Sequence, residues 1–185
     1  MPRVVQRKAR KDYPSSGIKK GDMYYYTSLK MQRGGLVKRS LTPFKPSQLT
    51  NSPFKSGFLS IGEGWEDGDR DGAAMREAAE AMREVGTECQ DSFDNMPEGL
   101  QQGDTGQMLE NRASECERIA DELEGLADEI ENLEDPGEYD DSNHDPEDDD
   151  DVDAFEEWQS AVDEKQSEED RIIEEAASLL GDMPE

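Results

Sequence analysis

Cations and flat aromatic rings interleave in the first forty residues. Arg3, Arg7, Lys8, Arg10, Lys11, Lys19, Lys20, Lys30, Arg33, Lys38 and Arg39 surround Tyr24 and Tyr26. Cations attract phosphate whatever the base sequence, because binding releases condensed counterions. Tyr24, Tyr26 and Lys30 alternate along a strand and so share one face, where bases could stack beside a basic track. The plain alternative is that the tyrosines pack inward and the cations keep the segment soluble.

Other groups suggest less chemistry. "DGDRDG" (67–72) sets Asp67, Asp69 and Asp71 at positions 1, 3 and 5 of a calcium loop, with glycine at 6. Position 12 should be a bidentate Glu but is Ala78, with Glu77 one residue early. The motif predicts no specific calcium site and reads better as an acidic helix start capped by Asp71. His144 is the sole histidine and lies in the acidic tract "DSNHDPEDDDD". One histidine with Cys89 and Cys116 far along the chain makes neither a zinc site nor a Cys–His or Ser–His nucleophile. No pair of carboxylates is marked as acid and base, and no Walker or Rossmann glycine pattern occurs. The residues predict a non-enzymatic binding protein with no cofactor and no metal.

Charge divides the 185 residues. Residues 1–62 hold 13 Lys and Arg against 2 Asp, a balance of +11, while 63–185 hold 7 against 45, a balance of −38. This asymmetry suggests separate partners for the two halves, or a head folded back on its own tail. Negative helices could also present carboxylates where a DNA-binding protein expects phosphates. The opposing view is a solvated surface that only maintains solubility. No apolar run is long enough for a membrane span, and no apolar core follows "MPRVVQRKARKDYP", so a secretory signal is not expected. Two cysteines form no disulfide framework, which fits a reducing cytoplasm.

The elements that must position these groups follow from periodicity. Residues 1–17 read as a flexible basic arm. Met23, Tyr25, Thr27, Leu29 and Met31 alternate with Tyr24, Tyr26, Ser28, Lys30 and Gln32, the period of a half-buried strand. "RGG" (33–35) suits a three-residue hairpin loop, which sets Met31 opposite Val37, Thr27 opposite Leu41 and Lys30 opposite Lys38. Cover for this sheet is expected from Phe44, Phe54, Phe58, Leu59 and Trp65. From Asp71 the period becomes helical, with Met75, Ala78, Met82, Val85, Cys89 and Phe93 in one stripe.

After a break at 95–106, a second helix is expected from Asp104, with Gln107 as capping-box partner. Leu109, Cys116, Leu123 and Ile130 take one heptad position and Ile119, Leu126 and Leu133 the other. Arg112 is the one polar break in the seam. A short loop between the helices predicts an antiparallel hairpin over 72–133, with Cys89 and Cys116 level in its core rather than acting as a redox pair. Residues 135–152 read as a disordered acidic linker. A third helix is expected from Asp153, capped with Glu156 and ended by Gly181. Its Phe155, Trp158, Val162, Ile172 and Leu179 would offer a surface to a host or phage protein.

"ARKDYPSSGIKKGDMYYY" and "SLTPFKPSQLTNSPF" resemble an N-terminal segment of small proteins encoded by tailed bacteriophages, usually described as uncharacterised or coil-containing. The resemblance covers roughly residues 6–60. It implies a phage origin and expression in bacterial cytoplasm, and no activity.

The expected fold class is α+β, mostly α. A basic β-hairpin head (1–62) precedes an acidic helical hairpin (63–134), the linker (135–152) and a separate C-terminal amphipathic helix (153–185). The expected partners are nucleic acid or a nucleoprotein at the head and protein at the acidic helices, with no membrane. Self-association through the coiled coil is also foreseen. The runner-up reading is an acidic DNA mimic that inhibits a host nucleic-acid enzyme.

Overall fold

The computed structural model describes residues 2–31, 34–139 and 149–184; for 30, 31, 34 and 149–151 it gives the backbone course only. The fold is α+β and mostly helical, with a small antiparallel sheet at the N-terminus followed by helices. Strands β1 (Val5–Lys8), β2 (Met23–Met31) and β3 (Gly34–Ser40) lie in the order β1-β2-β3. The α-helices that follow among the described residues are α1 (Pro53–Asp67), α2 (Gly72–Asp94), α3 (Glu98–Gln101), α4 (Asp104–Glu131) and α5 (Asp149–Gly181).

The head corrects two expectations. The expected flexible arm contains β1, which pairs with β2 so that Val5 faces Tyr26 and Arg7 faces Tyr24. An edge strand tolerates charge because its outer side meets water, and that charge hid the strand's period. The β2–β3 register also differs. Met31 faces Gly34, Lys30 faces Gly35 and Thr27 faces Lys38, so only residues 32 and 33 connect the strands. The observed register replaces the Lys30–Lys38 opposition with glycine against lysine, which removes a like-charge pair. Lys38 instead donates to the Gln48 carbonyl at 2.8 Å.

Between β1 and β2 the chain turns through a 3-10 segment, Pro14–Ser16. Gly17 at φ 66° and Gly21 at φ 104° take the left-handed region there. The head's only carboxylates hold this turn. Asp12 accepts from the Lys20 amide at 2.6 Å, and Asp22 accepts from the Lys19 amide at 2.8 Å. Ala9, Ile18 and Tyr24 form the small core beneath.

Phe54, Phe58 and Trp65 do not cover the sheet. They recur at helical spacing on α1, started by Pro53 and capped by Ser52, whose side chain accepts from the Lys55 amide. All three enter the helical core with residues of α2, α4 and α5. The expected boundary at 62/63 falls within α1.

α2 and α4 form the antiparallel hairpin. Met75, Ala79, Met82, Cys116, Ile119 and Leu123 are almost fully buried in its seam. Arg76 donates to Asp128 and Glu131, and Arg83 donates to Asp121 and Glu124, which fixes one antiparallel register along the pair. Arg112 places its guanidinium 4.4 Å from the Phe54 ring centre and so links α4 to α1. Asp104 is not the cap of α4. Gly103 takes that position and no side chain caps it, so the expected capping box is absent. The connecting segment contains the single turn α3.

α5 begins at Asp149, so Asp153 and Glu156 lie within it rather than at its start. Its C-terminal half is not separate from the body. Ile172, Ala176 and Leu180 are buried in the common core, and Arg171 bridges to Glu129 of α4. Of the expected linker, residues 135–139 precede α5 against its first turns, where Trp158 Nε1 donates to the Gly137 carbonyl at 3.0 Å. Residues 140–148, including His144, lie outside the described residues.

Two expected results arise here. Arg83 and Arg76 hold the Glu124 and Glu131 carboxyls below the usual carboxylate range by donating to them. A lowered folded-state pKa stabilises the fold above the ordinary value of about 4.3, and the contribution is lost as pH falls through the folded value. Arg76→Gln with Arg83→Gln should therefore lower the urea midpoint at neutral pH, and the difference should vanish once the carboxylates protonate. Cys89 and Cys116 are free thiols buried in the seam. Burial pushes Cys89 up and Cys116 up to about 11. The folded chain should resist iodoacetamide at mildly alkaline pH at both positions, and react at both in denaturant, as read by mass spectrometry.

Candidate nucleic-acid interface

Antiparallel pairing puts directly opposed residues on the same face of a sheet. Tyr24 and Tyr26 therefore share a face with Arg7 of β1 and Arg39 of β3. Tyr13 joins them from the turn. Its ring centre lies 5.6 Å from that of Tyr24, which lies 6.4 Å from that of Tyr26. Three rings thus form one tilted row.

Cations lie over this row. The Arg7 guanidinium is 4.9 Å from the Tyr26 centre, the Arg39 guanidinium 4.6 Å from the Tyr13 centre, and Lys11 Nζ 5.7 Å from Tyr13. A guanidinium over a ring face is held in place by the ring quadrupole yet keeps its N–H edge for an anion. Among the described residues none of Arg7, Lys8, Arg10, Lys11, Lys19, Lys20 or Arg39 joins an ion pair. The reason is local: Asp12 and Asp22 are engaged by backbone amides.

The expectation that Tyr24 and Tyr26 stack on bases meets a correction. Tyr24 is buried, and its hydrogen bond with Tyr13 raises its phenol above the ordinary tyrosine range. Tyr26 is half-buried and carries Arg7 on its face. The rings support the arginines instead. Lys38 turns to the opposite face and binds the Gln48 carbonyl. The Lys30 side chain and Arg33 lie outside the described residues. Sequence reasoning missed Tyr13. Its signal was "KDYPSSG", a turn that returns the ring to the sheet.

The acidic body uses most of its cations internally. Arg76, Arg83, Arg118, Lys165 and Arg171 all pair with carboxylates. Glu77, Glu80, Glu84, Glu88, Asp91 and Asp94 are exposed at three- and four-residue spacing, one stripe along α2. Of the suggested calcium ligands, Asp67 pairs with Lys45 at 2.6 Å and Asp71 caps α2 by accepting from the Ala74 amide at 2.8 Å. No group of three or more His, Cys, Asp or Glu suited to a metal ion occurs among the described residues. No described helix is long and apolar enough to cross a membrane.

The residues expected to meet a protein partner divide in two. Ile172 is fully buried and Leu179 packs on the core, so neither offers the free surface expected of it. Phe155, Trp158 and Val162 remain half-exposed, and Phe155 and Trp158 cluster with Tyr139 at 5.1 and 5.6 Å.

Comparison with family models, with curated proteins and with solved structures finds no match to this chain.

Proposed function

We propose that this chain is a non-enzymatic binding protein whose basic head contacts the phosphate backbone of nucleic acid, bare or within a nucleoprotein assembly. Its acidic helices contact protein. The observation that carries this reading is the pair of guanidiniums, Arg7 and Arg39, held over Tyr26 and Tyr13 with no carboxylate partner among the described residues. Arginines fixed in this way suit phosphate, whose charge and geometry match a planar fork of donors. The likeness of residues 6–60 to a phage-protein segment supports a phage accessory role in a bacterial cytoplasm. The half-exposed Phe155–Trp158 cluster is the best remaining surface for a protein partner.

Fluorescence anisotropy with a labelled oligonucleotide and the full chain tests this reading. Saturable binding at low ionic strength, weakening steeply as salt rises, supports it. No binding at low ionic strength defeats it.

The α2 carboxylate stripe favours one other reading, a DNA mimic that blocks a host nucleic-acid enzyme. Six carboxylates spread over about 26 Å of helix give a charge roughly every 5 Å, sparser than the 3.4 Å of one DNA strand. The neighbouring α4 row is engaged by Arg76 and Arg83, which offset two of its five charges at Glu117, Asp121, Glu124, Asp128 and Glu131. This weakens mimicry as the leading reading. Under mimicry a chain carrying Arg7→Glu and Arg39→Glu would still protect DNA from a host restriction enzyme. Under the head reading its nucleic-acid binding would be lost.

A further inference from the structure

α5 carries one apolar stripe but shares only part of it with the body. From Ile172 onward the stripe enters the helical core, and among the described residues no α5 side chain before Ile172 does so. Ahead of that point Phe155, Trp158 and Val162 continue the stripe at three- and four-residue spacing and are half-buried. Phe155 and Trp158 take their cover from residues 133–139, which lead away from the end of α4. Leu133, Pro136 and Tyr139 recur there every third residue and are half-buried, while Glu134, Asp135, Gly137 and Glu138 are exposed. Gly137 turns the chain at φ 73°, in the left-handed region, and its amide donates to Asp135 Oδ1 at 3.1 Å. The turn presents the Gly137 carbonyl to the Trp158 indole N–H and brings the Tyr139 ring onto Phe155 and Trp158.

Charge opposes this docking. Glu134, Asp135, Glu164 and Glu168 line a cleft of about 350 Å³ left between the segment and α5, with Lys165 as its one cation. Lys165 stands 3.9 Å from Asp135, a weak pair, while Glu168 is engaged by Arg171. Lys165 is also the only Lys or Arg between Arg118 and Arg171. Residues 133–139 carry three carboxylates, and residues 149–168 carry nine against that lysine. Apolar contact and one indole hydrogen bond therefore hold together two surfaces whose charges repel.

We propose that residues 133–139 are a displaceable strap over the α5 stripe, docked when salt screens the carboxylates and released as ionic strength falls. The Debye length is about 8 Å at physiological salt and about 30 Å at 0.01 M, so dilution of salt lets carboxylates along the whole strap and helix repel. While docked, Tyr139 occupies the place on Phe155 and Trp158 that a protein partner would take. That consequence rests on the reading of this cluster as the protein-binding surface. The movement of the strap is measured without any partner, so the two can fail separately.

Two tryptophans give two indole N–H signals in a proton–nitrogen correlation spectrum of the full chain, and Trp158→Phe assigns them. Lowering the salt from about 0.15 M to about 0.01 M should move the Trp158 signal as its bond to Gly137 is lost. The signal of Trp65, buried in the core, should stay in place. Gly137→Val sets a β-branched residue at positive φ, in open space, and should hold the Trp158 signal at its low-salt position throughout. Tyr139→Ala removes the ring contacts and should do the same. Lys165→Gln removes the attraction to Asp135 and should shift the change to higher salt. A Trp158 signal that ignores salt overturns the inference, as does a salt response that persists undiminished in Gly137→Val or Tyr139→Ala. Helix loss by circular dichroism over the same salt range also overturns it, because α5 itself would then be fraying.

Discussion

Gly106→Ala is expected to lower stability by about 1–3 kcal/mol, although helix propensity alone would forecast a gain of about 1 kcal/mol. A Cβ at this position would overlap the Gln101 carbonyl oxygen. That atom belongs to the backbone of α3, so relief requires the turn to move. Gln101 Nε2 donates to the carbonyls of Phe93 and Met96 at 3.2 and 3.1 Å and so closes the end of α2. Moving α3 therefore loosens both the α4 start and the α2 end. Urea unfolding followed by circular dichroism measures the change. A stabilised variant would show that the corner is looser than described and that propensity decides.

Arg7→Glu with Arg39→Glu is expected to weaken oligonucleotide binding about a hundredfold at low salt, from two charge-assisted hydrogen bonds at about 1.5 kcal/mol each. The slope of log affinity against log salt should flatten by about 0.7 for each phosphate left unneutralised. Tyr26→Ala should act differently. It removes the ring beneath Arg7 but leaves the charge, so the loss should be about 0.5–1 kcal/mol, the strength of an exposed cation–π contact. A stacked base would cost about 1–3 kcal/mol on the same substitution. The ratio of the two effects separates arginine support from base stacking.

The helical body was legible because its signal is periodic over long stretches. Leu109, Cys116, Leu123 and Ile130 fall every seventh residue, and the hairpin they imply has the observed antiparallel register. Gly181 ends α5 as its position suggested. The head was less legible for a physical reason. β1 is a four-residue edge strand whose Gln6, Arg7 and Lys8 are exposed, so neither propensity nor alternation marks it. Strand β3, on the other side of β2, begins with two glycines, which carry no side chain to report a face. Phe54, Phe58 and Trp65 were visible as buried residues, but composition could not say whether a sheet or a helix pair would bury them.

The candidate site was half legible. The cations could be counted in the sequence. That Tyr13 returns to the sheet and that arginines cap the rings depend on a turn and on side-chain directions.

The head's reading of phosphate rather than bases is tested most directly by comparing an abasic strand with a base-bearing strand of equal length, each labelled and titrated with the full chain at low ionic strength. Equal affinity, falling in parallel as salt is added, is the expected result. An abasic strand that fails to bind while the base-bearing strand binds would contradict it, and so would the absence of binding by either.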